Sequence, residues 1–198
     1  MGNKDRRNGD ENILKGFAAG LIGGLIASWT MNRFQELWTR LANNEDRKQS
    51  AQASLQKSRR VEKQSNNEEQ DTTVRAASAI SESLFHHKLT ESEKKIAGPA
   101  VHYSLGTAVG GLYGAVAEVA PEVTASAGLP FGAAFWLLVD EGAVPLLGFS
   151  KGPMDYPLST HVYALTSHFV YGLTVEVTRQ IVRKILGDRG HPARSEIR

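Results

Sequence analysis

The sequence predicts an all-α polytopic membrane protein, a helical bundle of about four transmembrane helices with one long polar loop. Three observations in its 198 residues predict this. Four apolar stretches approach the ~20 helical residues that span a hydrocarbon core about 30 Å thick. Charge is concentrated in residues 1–12, 33–95 and 179–198, outside those stretches. Glycines recur inside the stretches at four-residue intervals, the spacing that lines up small residues on one helix face.

The chain divides accordingly into a polar tail (1–12), a first span with an interfacial extension (13–42), a polar loop that is partly helical or disordered (43–95), a three-helix membrane region (96–178) and a basic tail (179–198). The first apolar run, Ile13 to Met31, carries no charge after Lys15. Small residues lie within this run rather than after it, so no signal-peptidase site is expected and the segment is read as retained. Arg6 occupies the place where an acylation signal has Ser or Thr. Phe34, Leu37, Trp38 and Leu41 continue the helical period into an interfacial extension anchored by Trp38.

Residues 33–95 hold 12 basic and 10 acidic side chains and cannot lie in lipid. Across 43–71 the apolar content is too low to offset the entropy of ordering the chain. Val74, Ala77, Ile80 and Leu84 mark a second amphipathic helix, and Thr90 with Glu93 forms a capping box leading into the next span. The remaining spans are Ile96–Ala120, Ala125–Phe149 and Leu158–Val177. Pro145 removes a backbone donor just after Glu141, so a kink is expected there.

Four basic residues precede or open the first span and six follow the fourth, which places both termini in the cytoplasm. The polar stretch 33–95 exceeds the ~60-residue length beyond which the positive-inside rule loses force. A rival topology, with a re-entrant first segment and a cytoplasmic loop, stays open.

Gly16, Gly20, Gly24 and Ser28 share one face, as do Gly106, Gly110 and Gly114. Such faces let helices approach closely in lipid, either within the bundle or across a homo-oligomer. The lipid bilayer is the expected partner. A net charge of +2 and the absence of a basic stripe with interleaved aromatics exclude a nucleic-acid partner.

Seven titratable residues fall within or beside the spans: His102, Glu118, Asp140, Glu141, His161, His168 and Glu176. A charged residue at the bilayer centre costs on the order of 3 kcal/mol on insertion scales, so pairing, protonation or water must relieve the set. His102 and Glu118 lie on the glycine face of the second span, and His161, His168, Gly172 and Glu176 fall in one arc of the fourth, so the two faces can pack together. Asp140 and Glu141 point about 100° apart, with Trp136 and Gly132 on the side of Asp140.

Three roles suit this set: a proton relay or pH sensor, a metal site, or interhelical hydrogen bonds worth about 1 kcal/mol each. The absence of His-Glu-x-x-His and Glu-x-x-His spacing argues against the metal, and no cofactor is expected. With no cysteine, no nucleophile elbow, no P-loop and no dinucleotide fingerprint, the chain is not expected to be an enzyme. Proton or ion handling is the leading expectation. The alternative is a structural or scaffolding membrane protein that binds a partner through its polar loop.

The run His102-Tyr103-Ser104-Leu105-Gly106, continuing to Gly111-Leu112-Tyr113-Gly114-Ala115-Val116-Ala117-Glu118, resembles the YagU-like bacterial inner-membrane proteins, a family of unknown function. Tyr156-Pro157-Leu158-Ser159-Thr160-His161 and the helix from His168 to Glu176 resemble it too. The resemblance covers roughly the four spans, with the polar loop as its variable part. It implies a multi-span inner-membrane protein with no assigned reaction and no catalytic residues to carry over. At least one member of that family is linked to acid tolerance.

Overall fold

The computed structural model describes residues 3–49 and 72–188, and every regular element among them is helical. Helix α1 (Asn3–Gln49) is one uninterrupted rod of 47 residues, about 70 Å at 1.5 Å per residue. The first span and its extension are therefore continuous. The helix runs seven residues past the expected boundary at residue 42, and the rest of the stretch expected to be disordered or loosely helical, 50–71, lies outside the described residues.

Residues 72–85 form α2, which buries Ala77 and Ser81 but leaves Ile80 and Leu84 exposed. Only part of the apolar stripe is thus used for packing. Thr73 and Val74 of α2 rest on Gly98. The chain then reverses through His86, whose φ of +51° is rare for a residue with a Cβ, and Ser81 Oγ donates to the carbonyl of His87 at 2.8 Å to close the turn.

Helix α3 (Glu91–Val119) opens on a capping box: Thr90 accepts from the Glu93 amide, while the Glu93 carboxylate accepts the Thr90 amide at 2.7 Å. The Thr90 amide, then its hydroxyl, then His87 hold the Glu93 carboxyl well below its ordinary range, down to about 2. Because the folded value is depressed, the box stabilises the helix start fully above the ordinary pKa near 4.5 and loses this contribution as pH falls through about 2. Amide exchange at Glu91–Lys94, corrected for its intrinsic pH dependence, is expected to accelerate across that window in wild type. The Glu93→Gln variant is expected to show no such step.

The third apolar stretch does not start its α-helix at Ala125. A 3-10 segment, Pro121–Gly128, breaks where Ala125 becomes extended and Ser126, Ala127 and Gly128 adopt φ of +50°, +55° and +83°. Helix α4 (Leu129–Leu138) begins only after this left-handed run, with Pro130 in its first turn. It passes through a π-helical turn, Val139–Ala143, into the short α5 (Val144–Leu146). Pro145 has no N–H for the carbonyl of Glu141, and the Val144 amide reaches back five residues to Val139. The disturbance is a widened turn that carries both Asp140 and Glu141.

Helix α6 (Leu158–Asp188) runs 11 residues past the expected end at Val177, so the first part of the basic tail belongs to the bundle. Helix α1 packs extensively on both α3 and α6, which barely meet each other, and α4 packs on α6. A small core of Ala27, Met31, Tyr113, Tyr171 and Val175 is flanked by Val123, Phe131 and Phe135. Outside it the apolar residues face outward, with Leu112, Leu137, Leu138 and Leu146 all more than half exposed. Among the described residues two segments, Gly9–Leu41 and Pro121–Leu146, are long and apolar enough to cross a membrane.

Candidate functional site

The glycines decide which faces meet. Gly16, Gly20 and Gly24 of α1 lie against the backbone of Gly114, Gly110 and Gly106 of α3, an antiparallel register in which each step up one helix is a step down the other. Side chains there would collide with carbonyl groups, which cannot rotate away. Ser28 continues the row by contacting Gly106. The glycine face of α3 is thus occupied by α1, and Gly172 of α6 instead meets Gly128 and Gly132. The glycine rows of α3 and α6 do not meet, but polar side chains of the two helices still converge at each end, and the seven titratable residues fall into two groups.

The first group surrounds a cavity of about 190 Å³ lined by His102, Asp140, Glu141, His161 and His168. Its remaining wall is largely apolar and aromatic, including Met31, Leu105, Phe135 and Tyr171. Tyr171 is anchored by donating its hydroxyl proton to the carbonyl of Gly106. His168 stands edge-on to Phe135, with ring centroids 5.2 Å apart.

The two histidines of α6 are held in the same manner. His161 Nε2 lies 3.0 Å from the carbonyl of Pro153, and His168 Nδ1 lies 2.9 Å from the carbonyl of Ala164. A carbonyl only accepts, so each of these nitrogens carries a proton. Each ring then turns its other nitrogen to a carboxylate of the π-helical turn: His161 Nδ1 to Glu141 Oε1 at 2.6 Å, and His168 Nε2 to Asp140 Oδ2 at 3.6 Å. At 2.6 Å a carboxylate and a bare imidazole lone pair would repel, so a proton lies between Glu141 and His161 and the pair is neutral overall. The gap at Asp140 is beyond hydrogen-bond distance, so the geometry fixes no shared proton there. Among the described residues no three metal-ligating side chains converge as a metal ion would require.

The second group lies at the other end of the bundle. Glu176, 0% exposed, accepts from Tyr113 Oη at 2.8 Å, from Arg179 Nε and Nη2 at 2.8 and 2.9 Å, and from Gln180 at 2.7 Å. Glu118 accepts both arms of Arg183 at 2.7 and 2.8 Å and a further bond from Arg179 at 3.3 Å. This is a closed lattice in which every carboxylate oxygen has a cation-borne donor. The sequence reading missed Tyr113, Arg179, Gln180 and Arg183. The i to i+3 and i+4 steps from Glu176 to Arg179 and Arg179 to Arg183 were a legible signal of one shared helix face.

Between the groups sits an aromatic layer. Phe131 stacks on Tyr113 at 4.2 Å and approaches Tyr171 at 6.2 Å, and it offers no hydrogen-bonding atom.

The fold and this pair of clusters define a class: an all-α bundle held by close glycine contacts, carrying a histidine and carboxylate cavity at one end and an arginine-bridged lattice at the other. The chain belongs to the family described as protein of unknown function (DUF1440), whose pattern matches residues 58–177. The match includes part of the polar segment, leaves out α1, takes in all seven titratable residues and stops short of Arg179 and Arg183. No curated protein and no solved structure matches the chain.

Proposed function

We propose that this is a four-span inner-membrane protein, of the YagU-like kind, that handles protons through the cavity formed by Asp140, Glu141, His161 and His168. The observation that carries the reading is the paired geometry: two imidazoles, each tethered by one N–H to a backbone carbonyl, present their second nitrogen to adjacent carboxylates across one cavity. Such pairs hold protons at fixed atoms and can exchange them near neutral pH, and ionisable groups retained within apolar helices are usually functional. A role in acid tolerance fits the same chemistry. The π-helical turn supports the reading as well, since such bulges are frequent at functional sites. His102 borders the cavity as a lesser contributor.

Glu118 and Glu176 have a structural role in this proposal. Their oxygens are fully engaged by Arg179, Arg183 and their neighbours, and such a lattice fixes helix ends rather than moving a proton.

Proton flux in proteoliposomes across pH 5 to 8 tests the reading. The wild type is expected to conduct, and Asp140→Asn, Glu141→Gln and His168→Gln to lose flux at unchanged folded yield. Absent flux in every case, with all variants folded, sinks the proposal. The cavity groups are then packing hydrogen bonds and the polar loop becomes the functional element.

A further inference from the structure

The cavity's charge balance names a ligand class, an inference that rests on the proton-handling reading and specifies what shares its site. The carboxylates of Asp140 and Glu141 line the cavity, and among the described residues neither Lys nor Arg does. The proton held between Glu141 and His161 neutralises that pair. Asp140 is different: its close polar partner among the described residues is His168 Nε2 at 3.6 Å, and its side chain is 40% exposed, so a species from outside can reach it. In the state with Asp140 ionised and His168 neutral, the described cavity groups carry one net negative charge. The other titratable groups around it are His102 from α3, His161 from α6 and Glu141 beside it.

The rest of the wall is mainly apolar and aromatic, with Ser28, Gln35, Thr72, Thr73, Ser150 and Thr160 among it. Phe135 and Tyr171 line the cavity with ring centroids 5.1 Å apart, and Met31 and Leu105 belong to the same wall. A cavity of about 150 Å³ accommodates a benzene ring, so 190 Å³ accommodates a slightly larger body. A carboxylate and aromatic side chains in one cavity wall suit a cation attached to an apolar group, through ion pairing and apolar contact.

We infer that the cavity binds a small organic monocation, its ammonium group on Asp140 and its apolar body against Phe135 and Tyr171. Protonation of the Asp140 and His168 pair removes the charge such a ligand needs, so the cation and the proton exclude each other at one site.

The test is calorimetric titration of the full chain in detergent at neutral pH with benzylammonium, with benzyl alcohol as the neutral molecule of like shape and sodium as the inorganic cation. Benzylammonium is expected to bind saturably and benzyl alcohol about tenfold or more weaker. Asp140→Asn is expected to reduce the cation to the level of the alcohol, and Phe135→Leu to weaken both. The wild-type comparison needs no variant to fold. Equal binding of the alcohol, displacement by sodium at equal concentration, or full affinity in a folded Asp140→Asn protein overturns the inference. Flux without benzylammonium binding overturns it while leaving proton handling in place. Binding without flux in liposomes supports the site and removes proton handling.

Discussion

Glu176→Ala is expected to be the most damaging single change in the bundle, lowering stability by about 3–5 kcal/mol. The carboxylate is fully buried and gathers four donors from Tyr113, Arg179 and Gln180. Truncation leaves the Arg179 guanidinium, itself only 12% exposed, with the single longer bond to Glu118 at 3.3 Å. A buried cation left without its main partner costs far more than the pair contributes when intact. Thermal unfolding in detergent should show the loss. Adding Arg179→Met should recover part of it, because the orphaned charge is then gone. If the double variant is as unstable as the sum of the singles, the lattice is not what Glu176 contributes.

The second large effect is expected at the crossing of α1 and α3. In Gly20→Leu the new Cβ collides with the carbonyl of Gly110, and in Gly110→Leu it meets the backbone of Gly20 and Gly24. Overpacking ordinarily costs about 1–3 kcal/mol when side chains can shift, and these neighbours are backbone, so the upper end or more is expected. Loss of folded yield with earlier thermal unfolding is the readout. Gly9→Ala is the internal control: nothing lies within 4 Å of a Cβ there, and replacing helical glycine by alanine should stabilise α1 by up to about 1 kcal/mol. Equal tolerance of Gly20→Leu and Gly9→Ala would mean that the two helices are not held by close approach.

Much of the architecture was legible in the amino-acid order because it depends on local periodicity. The all-helical class, the apolar character of Gly9–Leu41 and Pro121–Leu146, and the capping box at Thr90 and Glu93 each follow from residues within a few turns of one another. Element boundaries were less legible. Ala125 reads as a helix start by hydropathy, yet Ser126 and Ala127 take left-handed backbone that no propensity announces. Glu176 and Arg183 likewise read as the edge of a span and a solvated tail, whereas each finds its partners only when α6 continues to Asp188.

The sequence by itself determined the inventory: which residues titrate, which helices carry small-residue faces and where charge is kept out. The fold added the contacts: which helix closes on which face, and which donors each carboxylate meets. His102 and Glu118 share one face of α3 but lie about 24 Å apart along it, so they belong to opposite ends of the bundle, while the glycine row between them closes on α1 rather than α6. Periodicity states which side chains point the same way along a helix. It carries no term for which helix arrives opposite, and that is set by backbone shape, by where glycine lets two main chains touch.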